Sequence, residues 1–431
     1  MAKVFFYTQG CANNQTDSET MAGILEEDGY EVVESPNNAD CLVINTCTVK
    51  NATETQFFRA LKQFPKKPTV IAGCIAQTDK EKLHGYSLIG TTNLHHISEV
   101  VEETLNGNQV IFTKRENSER LNLPKIRQNS FVEIIPINRG CLGNCTYCKT
   151  KAARFNLQSF NKDAILKQAE NAIKEGVKII HLTSQDTAVY GQDLAETESE
   201  KNIQLPVLLK ELCSLEGNFK IKLGMGNPDH YIKMLPQLIE AFKHEKMFKF
   251  LHLPVQSGNN KVLDDMKREY TVEDYKKIIM EFKKAIPEMQ IMTDIICGFP
   301  TESDEQFEDT IRLIEETRPD SLNISRYSAR PKTLAASWKQ LPTHKSAERS
   351  RKLAYVFEKI AEENSRQWKD KVFNVIIDEE GRQGTNTING RNESCRQIVV
   401  KNPDNEIKLG DIIKVRIIET HKYHLLAEKI K

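Results

Sequence analysis

Three cysteines lie within eight positions in the segment RGCLGNCTYCKT, at Cys141, Cys145 and Cys148 (the loop trio). Their spacing is C-x3-C-x2-C, and no further cysteine or histidine follows closely. A structural zinc site is closed by four protein ligands, usually as two short pairs, and a four-iron cluster normally takes four thiolates. Three thiolates would leave one iron of such a cluster open. Because an open metal position is where chemistry takes place, the spacing favours a reactive iron–sulfur site.

Two other interpretations of this loop stay open. Zinc could take a fourth ligand from a distant part of the chain, or the cysteines could simply pack in the interior. The loop is rich in glycine and asparagine, which disfavours packing, and it directly follows the strand-like segment VEIIPINRG. Active sites of β/α barrels lie at the carboxyl ends of strands, so the position of the loop also favours a catalytic role.

A second set of cysteines, Cys11, Cys47 and Cys74 (the N-terminal trio), follows directly on three strand-like segments, FFYTQGC, LVINTC and VIAGC. Ligands of open parallel sheets bind outside the carboxyl ends of the strands, so these three thiols are expected to converge. The alternative is that each is a small half-buried cysteine of the kind that is common in cores. The remaining cysteines are expected in core or incidental positions: Cys41, Cys213, Cys297 and Cys395.

The elements that must position these thiols divide the chain into an α/β arrangement of three regions and a linker. In residues 1–112, strands alternate with amphipathic helices, which predicts a doubly wound parallel sheet. Residues 113–129 are polar and charged and are interpreted as a linker. In residues 130–370, six strand–helix units predict a partial or full β/α barrel. In residues 371–431, short strands and turns such as NGRN predict a small antiparallel β-barrel.

Composition limits the class of protein. A chain of 431 residues with 39% hydrophobic and 28% charged residues is typical of a soluble protein of two or three domains. The 60 basic and 60 acidic residues balance, which argues against a general polyanion binder but leaves room for a local basic patch. We expect a cytoplasmic protein, because the sequence shows no membrane span, signal peptide or anchor. In that compartment ten cysteines indicate metal binding or catalysis rather than disulfides.

The motifs, taken in order, resemble the methylthiotransferases, a branch of the radical S-adenosylmethionine superfamily. The N-terminal region carries YTQGCANNQTDSE, NTCTV and AGC, and the middle region carries RGCLGNCTYC, LTSQDTAVYG, LPVQSGNNKVLDDMKREYT, TDIICGFPTESDEQFEDT and YSARPKTLAA. The C-terminal region, with NGRNESCRQIVVK and LGDIIKVRIIE, resembles the TRAM domain, an RNA-binding β-barrel. The resemblance covers essentially the whole chain.

The resemblance implies two four-iron four-sulfur clusters, one on each trio, and it makes the six cysteines both metal ligands and catalytic residues. In that superfamily the open iron at C-x3-C-x2-C binds S-adenosylmethionine, and an electron from the cluster cleaves the sulfonium to give a 5′-deoxyadenosyl radical. The cluster on the N-terminal trio would carry a sulfur or methylsulfide on its own open iron. Two S-adenosylmethionines would serve each turnover, one as methyl donor and one as radical source.

The family acts either on a modified adenosine at position 37 of tRNA or on an aspartate of a ribosomal protein. The segments TQGCANNQTDSETM, NTCTVKNATE and IGTTNLHHISEVVEETL most resemble the archaeal and eukaryotic tRNA branch, which methylthiolates N6-threonylcarbamoyladenosine at C2. The implied partners are the tRNA anticodon loop, an electron donor protein and a sulfur donor, and no membrane. The alternatives are the ribosomal aspartate, another modified adenosine, or a non-enzymatic RNA-binding module with a structural metal.

Several other side chains are candidates for binding roles. Tyr147 could pack on the cluster or on adenine. Polar residues at strand ends are expected to hold the amino acid and ribose of S-adenosylmethionine, although they could instead bond within the barrel: Ser184, Gln185, Asp186, Gln256, Ser257 and Asp294. Asp294 stands among apolar residues, so its carboxylate would need a partner. His181 and His252 lie between apolar neighbours and are expected in the core.

Cationic and aromatic residues are candidates for binding the RNA. Arg326 and Arg330 follow the sixth barrel strand and could pair with the carboxylate of the threonyl group. Residues near predicted turns of the C-terminal region could contact phosphate and a loop base, the alternative being an ordinary solvated surface: Arg382, Arg391, Arg396, Lys422 and Tyr423.

One position departs from the family pattern. Such proteins usually carry Arg-Gly shortly after the third cysteine of the loop, whereas Arg154 is followed here by Phe155. Glycine permits positive φ and close backbone approach, which phenylalanine does not. We therefore expect the cluster loop to be shaped differently at this point.

Overall fold

The N-terminal region forms a parallel sheet with helices on both faces. The structure is a computed structural model that describes residues 1–49, 51–197 and 204–430. Within these residues the strand order is β2-β1-β3-β4-β5-β6, and every pair is parallel. The strands are β1 Lys3–Thr8, β2 Glu31–Val33, β3 Cys41–Thr46, β4 Thr69–Gly73, β5 Ser87–Ile89 and β6 Ile111–Phe112, and the helices are α1 Ala12–Glu27, α2 Asn51–Gln63, α3 Cys74–Thr78 and α4 Ile97–Leu105.

Burial explains why these segments are strands. Every residue of β3 and β4 is buried, as expected for strands that are covered by helices on both faces. Val43 and Val70 pack towards one group of helices, and Ile44 and Ile71 pack towards Phe57 on the other side. The predicted doubly wound sheet is confirmed.

The middle region forms an open β/α barrel from two sheets of parallel strands, with the orders β11-β10-β7 and β12-β13-β14. A parallel bridge between Ile221 and Met247 lies between the two sheets. All six predicted barrel strands are present, and a short antiparallel pair, β8 and β9, follows the first of them. The strands are β7 Val132–Pro136, β8 Asn138–Arg139, β9 Gln158–Ser159, β10 Ile179–Thr183, β11 Lys220–Leu223, β12 Phe250–His252, β13 Gln290–Cys297 and β14 Ser321–Arg326.

Helices cover the outside of this barrel, and their ends show the expected caps. Thr271 with Asp274, and Ser303 with Gln306, form capping boxes at the starts of two of them. The described helices are α5 Thr150–Arg154, α6 Lys162–Lys174, α7 Gln204–Ser214, α8 Pro228–Tyr231, α9 Leu235–Lys243, α10 Asn260–Asp265, α11 Val272–Ala285, α12 Asp304–Thr317 and α13 Thr343–Arg366. None of the helices in the described residues is long and apolar enough to cross a membrane.

The C-terminal region closes into a barrel with the order β15-β16-β17-β19-β18. Its strands are β15 Val372–Glu380, β16 Thr387–Arg391, β17 Gln397–Lys401, β18 Ile412–Thr420 and β19 Leu425–Lys429. Two details of the prediction are wrong. The β17–β19 pair is parallel, and the NGR of the expected NGRN turn lies inside β16. Gly390 suits a strand here because a Cβ at this position would lie 2.5 Å from the carbonyl oxygen of Ile376 on the neighbouring strand.

The three regions pack so that the strands of the N-terminal sheet and the strands of the β/α barrel bring their carboxyl ends together. Asn13, two residues after Cys11, donates to the Thr183 hydroxyl at the end of β10 over 3.4 Å. The closed barrel lies at the opposite end, where Ile376 packs against Ile179 at the start of β10. All described strands fall within the predicted bounds of 1–112, 130–370 and 371–431, and the division of the chain at those residues remains a prediction.

Candidate active site

The N-terminal trio gathers at the ends of three adjacent strands. Cys11 and Cys47 follow β1 and β3, and Cys74 begins α3 directly after β4. Gly10 has a φ of +125°, and a Cβ there would lie 2.5 Å from the Cβ of Cys47 and 3.0 Å from its sulfur. Glycine at this position is therefore what lets the first loop reach Cys47. Burial, together with the neighbouring thiols of Cys74 and Cys11, raises the pKa of Cys47 to about 12.

Buried asparagines hold the loops of the N-terminal trio in place. The side chain of Asn14 donates to the carbonyl of Thr46 over 2.6 Å, and its amide oxygen lies 3.5 Å from the sulfur of Cys11. Asn45 donates to the carbonyl of Asn14 over 2.8 Å. Cys11 is exposed whereas the other two cysteines of the trio are buried, so the site opens to solvent on the side of Cys11.

The loop trio lies on the irregular segment after β8, and its three cysteines are all partly exposed. The backbone N–H of Gly143 donates to the sulfur of Cys141 over 3.3 Å, and the N–H of Cys148 donates to the carbonyl of Cys145 over 3.1 Å. Burial and the nearby carboxylate of Asp186 raise the pKa of Cys141 to about 12.

In each trio at least one pair of sulfur atoms lies farther apart than two thiolates on a single zinc ion. Sulfur ligands of tetrahedral zinc bind at about 2.3 Å, which puts them about 3.8 Å from one another. Among the described residues, only a histidine–glutamate group elsewhere has three ligand atoms all within 4.8 Å of one another, so each trio contains a wider pair. In an iron–sulfur cluster each thiolate binds a different iron, which suits this wider spacing.

Arg154 connects the two trios. It ends α5, the short helix that begins two residues after Cys148, and its buried guanidinium donates to Asp17 over 2.7 Å and to Asn14 over 3.3 Å. The thiols of Cys74, Cys11 and Cys47 are near enough to act on its charge. Burial alone would lower the pKa of Arg154, but the thiols of the N-terminal trio raise it above its ordinary value. The helix that leaves one site therefore delivers a cation to the other.

A second buried connection runs through Lys149 and Arg330. The Lys149 ammonium contacts Asp79 and, over 3.3 Å, Glu54. Arg330 donates to the carbonyl of Thr48 over 2.7 Å and also pairs with Glu54. Because Thr48 directly follows Cys47, this network fixes the loop of one trio against the loop of the other.

The predicted S-adenosylmethionine residues of the second barrel strand lie beside the loop trio. Gln185 accepts a hydrogen bond from the N–H of Gly140 over 2.8 Å, and the hydroxyl of Ser184 accepts from the N–H of Asp186 over 2.9 Å. Asp186 is fully buried and accepts from the N–H of Asn227 over 3.1 Å. Burial raises the pKa of Asp186, which makes its carboxyl group easier to protonate.

Their counterparts on the other half of the barrel are also brought to this end. Gln256 has a φ of +68°, in the region that favours glycine, and Ser257 is fully buried. The Asp294 carboxylate lies 2.7 Å from a ring nitrogen of His252, so the partner expected for it is a histidine assigned to the core. His181 lies partly exposed on β10, where the buried surroundings of its ring and the charge of Lys222 lower its pKa well below the ordinary value. All these binding roles remain predictions.

Tyr147 and Arg268 complete the surroundings of the loop trio. The Tyr147 ring lies edge-on to Phe299, with ring centres 6.3 Å apart. Arg268, which the sequence interpretation missed, donates to the sulfur of Cys145 over 3.1 Å and to the hydroxyl of Tyr270 over 2.9 Å. The only signal for Arg268 is its place in the motif DDMKREYT, where several charged residues stand together.

Three of the predicted RNA-binding arginines make contacts within the protein. Arg330 is buried in the network with Glu54, and Arg396 is buried and donates to the hydroxyl of Ser365 over 3.2 Å. Arg391 pairs with Asp378 over 2.7 Å and is near enough to His181 to lower its pKa. Arg330 is thus held beside the N-terminal trio, and Arg396 where the closed barrel meets the helix that carries Ser365. The RNA-binding roles of all three remain predictions.

The other predicted RNA-binding residues lie at the surface. Arg326, Arg382 and Tyr423 are exposed, and Lys422 is partly exposed in an ion pair with Glu358 over 2.9 Å. The four cysteines expected in core positions are all buried: Cys41, Cys213, Cys297 and Cys395.

Comparison with known proteins decides the family. The model of the Radical SAM superfamily matches residues 135–314, and that of the uncharacterized protein family UPF0004 matches residues 3–88. A probable threonylcarbamoyladenosine tRNA methylthiotransferase of Pyrococcus horikoshii is 38% identical over 96% of this chain and 100% of its own length. A probable enzyme of the same name from Archaeoglobus fulgidus is 39% identical over 99% of this chain and 98% of its own length. The Mus musculus enzyme is 38% identical over 99% of this chain and 74% of its own length. The chain belongs to this methylthiotransferase family.

Solved structures agree on the fold. The radical S-adenosylmethionine methyltransferase TsrM from Kitasatospora setae, whose structure holds cobalamin and a [4Fe-4S] cluster, superposes with a TM-score of 0.55 at 11% identity, over 78% of this chain and 74% of its own. At that identity the likeness bears on the fold alone. Membership of the methylthiotransferase family confirms the expected class of transferase and implies [4Fe-4S] clusters and S-adenosylmethionine as cofactors. The two trios supply a donor set of thiolates that fits such clusters.

Proposed function

We propose that this methylthiotransferase transfers a methylthio group to C2 of N6-threonylcarbamoyladenosine at position 37 of tRNA, using two [4Fe-4S] clusters and two S-adenosylmethionines. The observation that carries the proposal is that Arg154 and Lys149 join the two trios where the N-terminal sheet and the β/α barrel meet at the carboxyl ends of their strands. A reaction that needs a carbon activated at one site and sulfur delivered at another requires such proximity. The names of the relatives support the substrate.

Each trio has a separate role in this proposal. Cys141, Cys145 and Cys148 would hold the cluster that binds S-adenosylmethionine, and the N-terminal trio would hold the cluster that receives sulfur. The chemistry that the first cluster supplies, with S-adenosylmethionine at its open iron, is one-electron activation of an inert C–H bond. The exposure of Cys11 leaves one side of the N-terminal site open to an incoming sulfur donor.

The charged residues around the trios position the loops and balance their charge. Arg268 donates to the sulfur of Cys145, and the charge of Arg154 acts on the thiols of the N-terminal trio, so each trio has a cation beside it. Cations and hydrogen bonds to cluster sulfur favour the reduced, more negative state of a cluster. We propose that these two arginines set the reduction potentials of their respective clusters.

The polar strand-end residues would bind the amino acid and ribose of S-adenosylmethionine. Ser184, Gln185 and Asp186 line the side next to the loop trio, and Gln256, Ser257 and Asp294 line the other half of the barrel. Tyr147 would pack against the cofactor, because it directly precedes Cys148 and its ring lies edge-on to Phe299. These roles follow from placement at the carboxyl ends of barrel strands.

The modified adenosine would reach the trios, and exposed residues on other parts of the protein, including the closed barrel at the opposite end, would bind the rest of the tRNA. Arg326 ends the sixth barrel strand and is the exposed candidate for the threonyl carboxylate. Arg382, Lys422 and Tyr423 are the more exposed candidates of the closed barrel for phosphate and a loop base. An electron donor protein and a sulfur donor would complete the reaction, and a tRNA substrate agrees with the cytoplasmic location expected from the sequence.

Nucleoside mass spectrometry tests the substrate. The anaerobically reconstituted enzyme is supplied with S-adenosylmethionine, reductant, sulfide and either tRNA carrying N6-threonylcarbamoyladenosine or the same tRNA without the threonylcarbamoyl group. We expect the methylthio nucleoside only from the first tRNA. Modification of an aspartate in added ribosomal protein, with both tRNAs unchanged, would identify the protein-modifying activity instead.

Two variants test the division of labour between the trios. Wild type should hold about eight irons, and Cys11→Ala and Cys145→Ala should each lose about half of them. Cys11→Ala should still cleave S-adenosylmethionine reductively but form no methylthio nucleoside, whereas Cys145→Ala should lose both activities. Bound zinc without iron in the wild type would contradict the proposal and favour an RNA-binding module with a structural metal.

A further inference from the structure

A group of metal-ligand side chains lies outside both trios, where the linker crosses the N-terminal sheet. His95 and His96 precede α4, and Glu116 belongs to the linker. The Glu116 carboxylate oxygen lies 3.1 Å from Nε2 of His95 and 3.2 Å from Nε2 of His96. Among the described residues, this is the group of three whose ligand atoms all lie within 4.8 Å of one another. We call it the His95–His96–Glu116 cluster.

These distances match the edges of a coordination tetrahedron. Zinc binds imidazole nitrogen and carboxylate oxygen at 2.0–2.1 Å, so two ligand atoms of a tetrahedral site lie about 3.3 Å apart. The observed N···O separations of 3.1 and 3.2 Å are close to that value without rearrangement. Two imidazoles and one carboxylate also form a ligand set that binds zinc and neighbouring transition metals in preference to magnesium or calcium.

A second carboxylate orients one of the imidazoles. Oε2 of Glu99 lies 3.4 Å from Nδ1 of His96, the ring nitrogen that faces away from Glu116. The His96 ring also stacks on Phe112, with ring centres 4.4 Å apart. Histidines that bind metals almost always donate their other ring N–H to a carboxylate, carbonyl or water, which fixes the tautomer and the ring. Glu99 is placed to accept such a hydrogen bond.

The cluster is accessible and leaves room for a fourth ligand. The side chains of His95, His96 and Glu116 are 37%, 27% and 34% exposed, so solvent reaches all three. Water can therefore complete a four-coordinate site. The alternative for such an arrangement is an ordinary ion pair between a protonated histidine and glutamate, and this alternative predicts no affinity for metal.

We propose that the His95–His96–Glu116 cluster binds a divalent transition metal of the zinc class and thereby ties the linker to the N-terminal sheet. The tie would bear on the active site, because the carbonyl of Glu116 accepts a hydrogen bond from Arg139 over 2.9 Å. Arg139 stands two residues before Cys141, the first cysteine of the loop trio. Metal at the cluster would hold the segment that supports the loop trio, and this inference does not depend on which substrate the enzyme modifies.

Zinc binding to the full holoenzyme tests the proposal. Both [4Fe-4S] clusters are reconstituted anaerobically first, so that the six cluster thiols are occupied, and zinc is then titrated and measured by atomic spectrometry after desalting. We expect one zinc per chain in the wild type and none in His96→Gln or Glu116→Gln. Glu99→Gln should weaken binding by about 10- to 100-fold, because it removes the orienting carboxylate but no ligand. His84→Gln, an exposed histidine of the same region, is the matched control and should bind zinc as the wild type does.

Hydrogen exchange of the linker tests the tie itself. Zinc should slow amide exchange in residues 113–129 of the wild type and of His84→Gln, and should leave exchange in Glu116→Gln unchanged. Glu116→Gln changes a linker side chain and no residue of the sheet, so it serves if His96→Gln folds poorly. Equal zinc content in the wild type and Glu116→Gln would overturn the site. Zinc binding at the cluster with no protection of the linker would overturn the tie.

Discussion

Lys149 and Asp79 form a buried ion pair that joins the loops of the two cysteine trios. Lys149 directly follows Cys148, and Asp79 directly follows the helix that Cys74 begins. Both side chains are 4% exposed. Because the partners come from different domains, the pair fixes the distance between two sites that no element of secondary structure spans.

Asp79→Asn should destabilise the protein through this pair. The substitution leaves the Lys149 ammonium buried with only Glu54, at 3.3 Å, as a counter-charge. Breaking a buried pair by removing one partner usually costs about 3–5 kcal/mol, and the remaining carboxylate puts the expected loss at about 3 kcal/mol. Chemical denaturation of the cluster-free chain measures it. Glu170→Gln, which removes the exposed pair with Lys174, should change stability by less than about 0.5 kcal/mol.

The same pair predicts a dependence of stability on acid. Although burial alone would raise it, hydrogen bonds from Lys149, Thr78 and Lys82 lower the pKa of Asp79 from 3.8 to about 2. A carboxyl whose pKa is lower in the folded state stabilises fully above its unfolded pKa and loses that contribution as pH falls through the folded pKa. About 2 kcal/mol should therefore disappear between pH 4 and pH 2. Unfolding free energies of wild type and Asp79→Asn should converge over this window, and a constant difference would contradict the assignment.

Phe155 should lower the stability of the folded protein, because its backbone has the conformation that glycine favours. Its φ and ψ are +67° and −162°, and a Cβ on Gly140 would lie 2.2 Å from the carbonyl oxygen of Asn156, which shows how closely the two segments approach. The loop therefore keeps a glycine-like backbone at Phe155. The side chain gains some compensation from Arg115, whose guanidinium lies 5.3 Å from the ring centre.

Comparing Phe155→Gly with Phe155→Ala isolates the strain. Both variants lose the ring and its contact with Arg115, but only glycine relaxes the backbone. Strained residues of this kind cost about 1–3 kcal/mol, and glycine gives back about 1 kcal/mol through its freer unfolded state. We expect the glycine variant to be about 1 kcal/mol more stable than the alanine variant by denaturant unfolding. Equal stability would mean that the backbone relaxes with either residue.

Two arginines of the closed barrel should differ in their effect on tRNA binding. Arg382 is exposed, whereas Arg391 pairs with Asp378 where this barrel meets the radical domain. Arg382→Gln should weaken tRNA binding and reduce the slope of log K against log salt by about 1, the change expected for one lost phosphate contact. Arg391→Gln should leave that slope unchanged and lower thermal stability instead. Filter binding at several salt concentrations separates them, and a slope that changes only in Arg391→Gln would reverse the assignment.

How far the sequence led depended on the range of each interaction. Cys11, Cys47 and Cys74 could be singled out because each follows a strand, and strand order in alternating α/β chains is governed by short connections. The loop trio could be singled out from its C-x3-C-x2-C spacing. The burial of Arg396 had no signal in the sequence, because its contact with Ser365 depends on how one domain packs on another. The Asn389–Gly390 turn signal failed for a related reason, since close approach of β15 and β16 also requires glycine. The pairing of Arg154 with Asp17, separated by 137 positions, had no local signal at all.

Arg154 and Arg268 allow the two clusters to be perturbed one at a time. The charge of Arg154 acts on the thiols of the N-terminal trio, and Arg268 donates to Cys145 of the loop trio over 3.1 Å. Removing a cation and a hydrogen bond from cluster sulfur makes the cluster harder to reduce. Arg154→Gln should lower the potential of the N-terminal cluster by roughly 60 mV, a tenfold change in a one-electron equilibrium, and leave the other cluster unchanged. Arg268→Gln should lower the potential of the loop cluster by a similar amount and leave the N-terminal cluster unchanged.

Redox titrations monitored by electron paramagnetic resonance measure both potentials in variants that hold a single cluster. Cys145→Ala supplies the background for the N-terminal cluster, and Cys11→Ala supplies it for the loop cluster. Arg154→Lys is the matched control, because it keeps the charge beside Cys74 but cannot donate to Asp17 and Asn14 with the geometry of a guanidinium. We expect the potential of the N-terminal cluster in Arg154→Lys to lie close to its value with Arg154. A glutamine variant that shifts both potentials equally would mean that the arginines act on the packing of the domains and not on separate clusters.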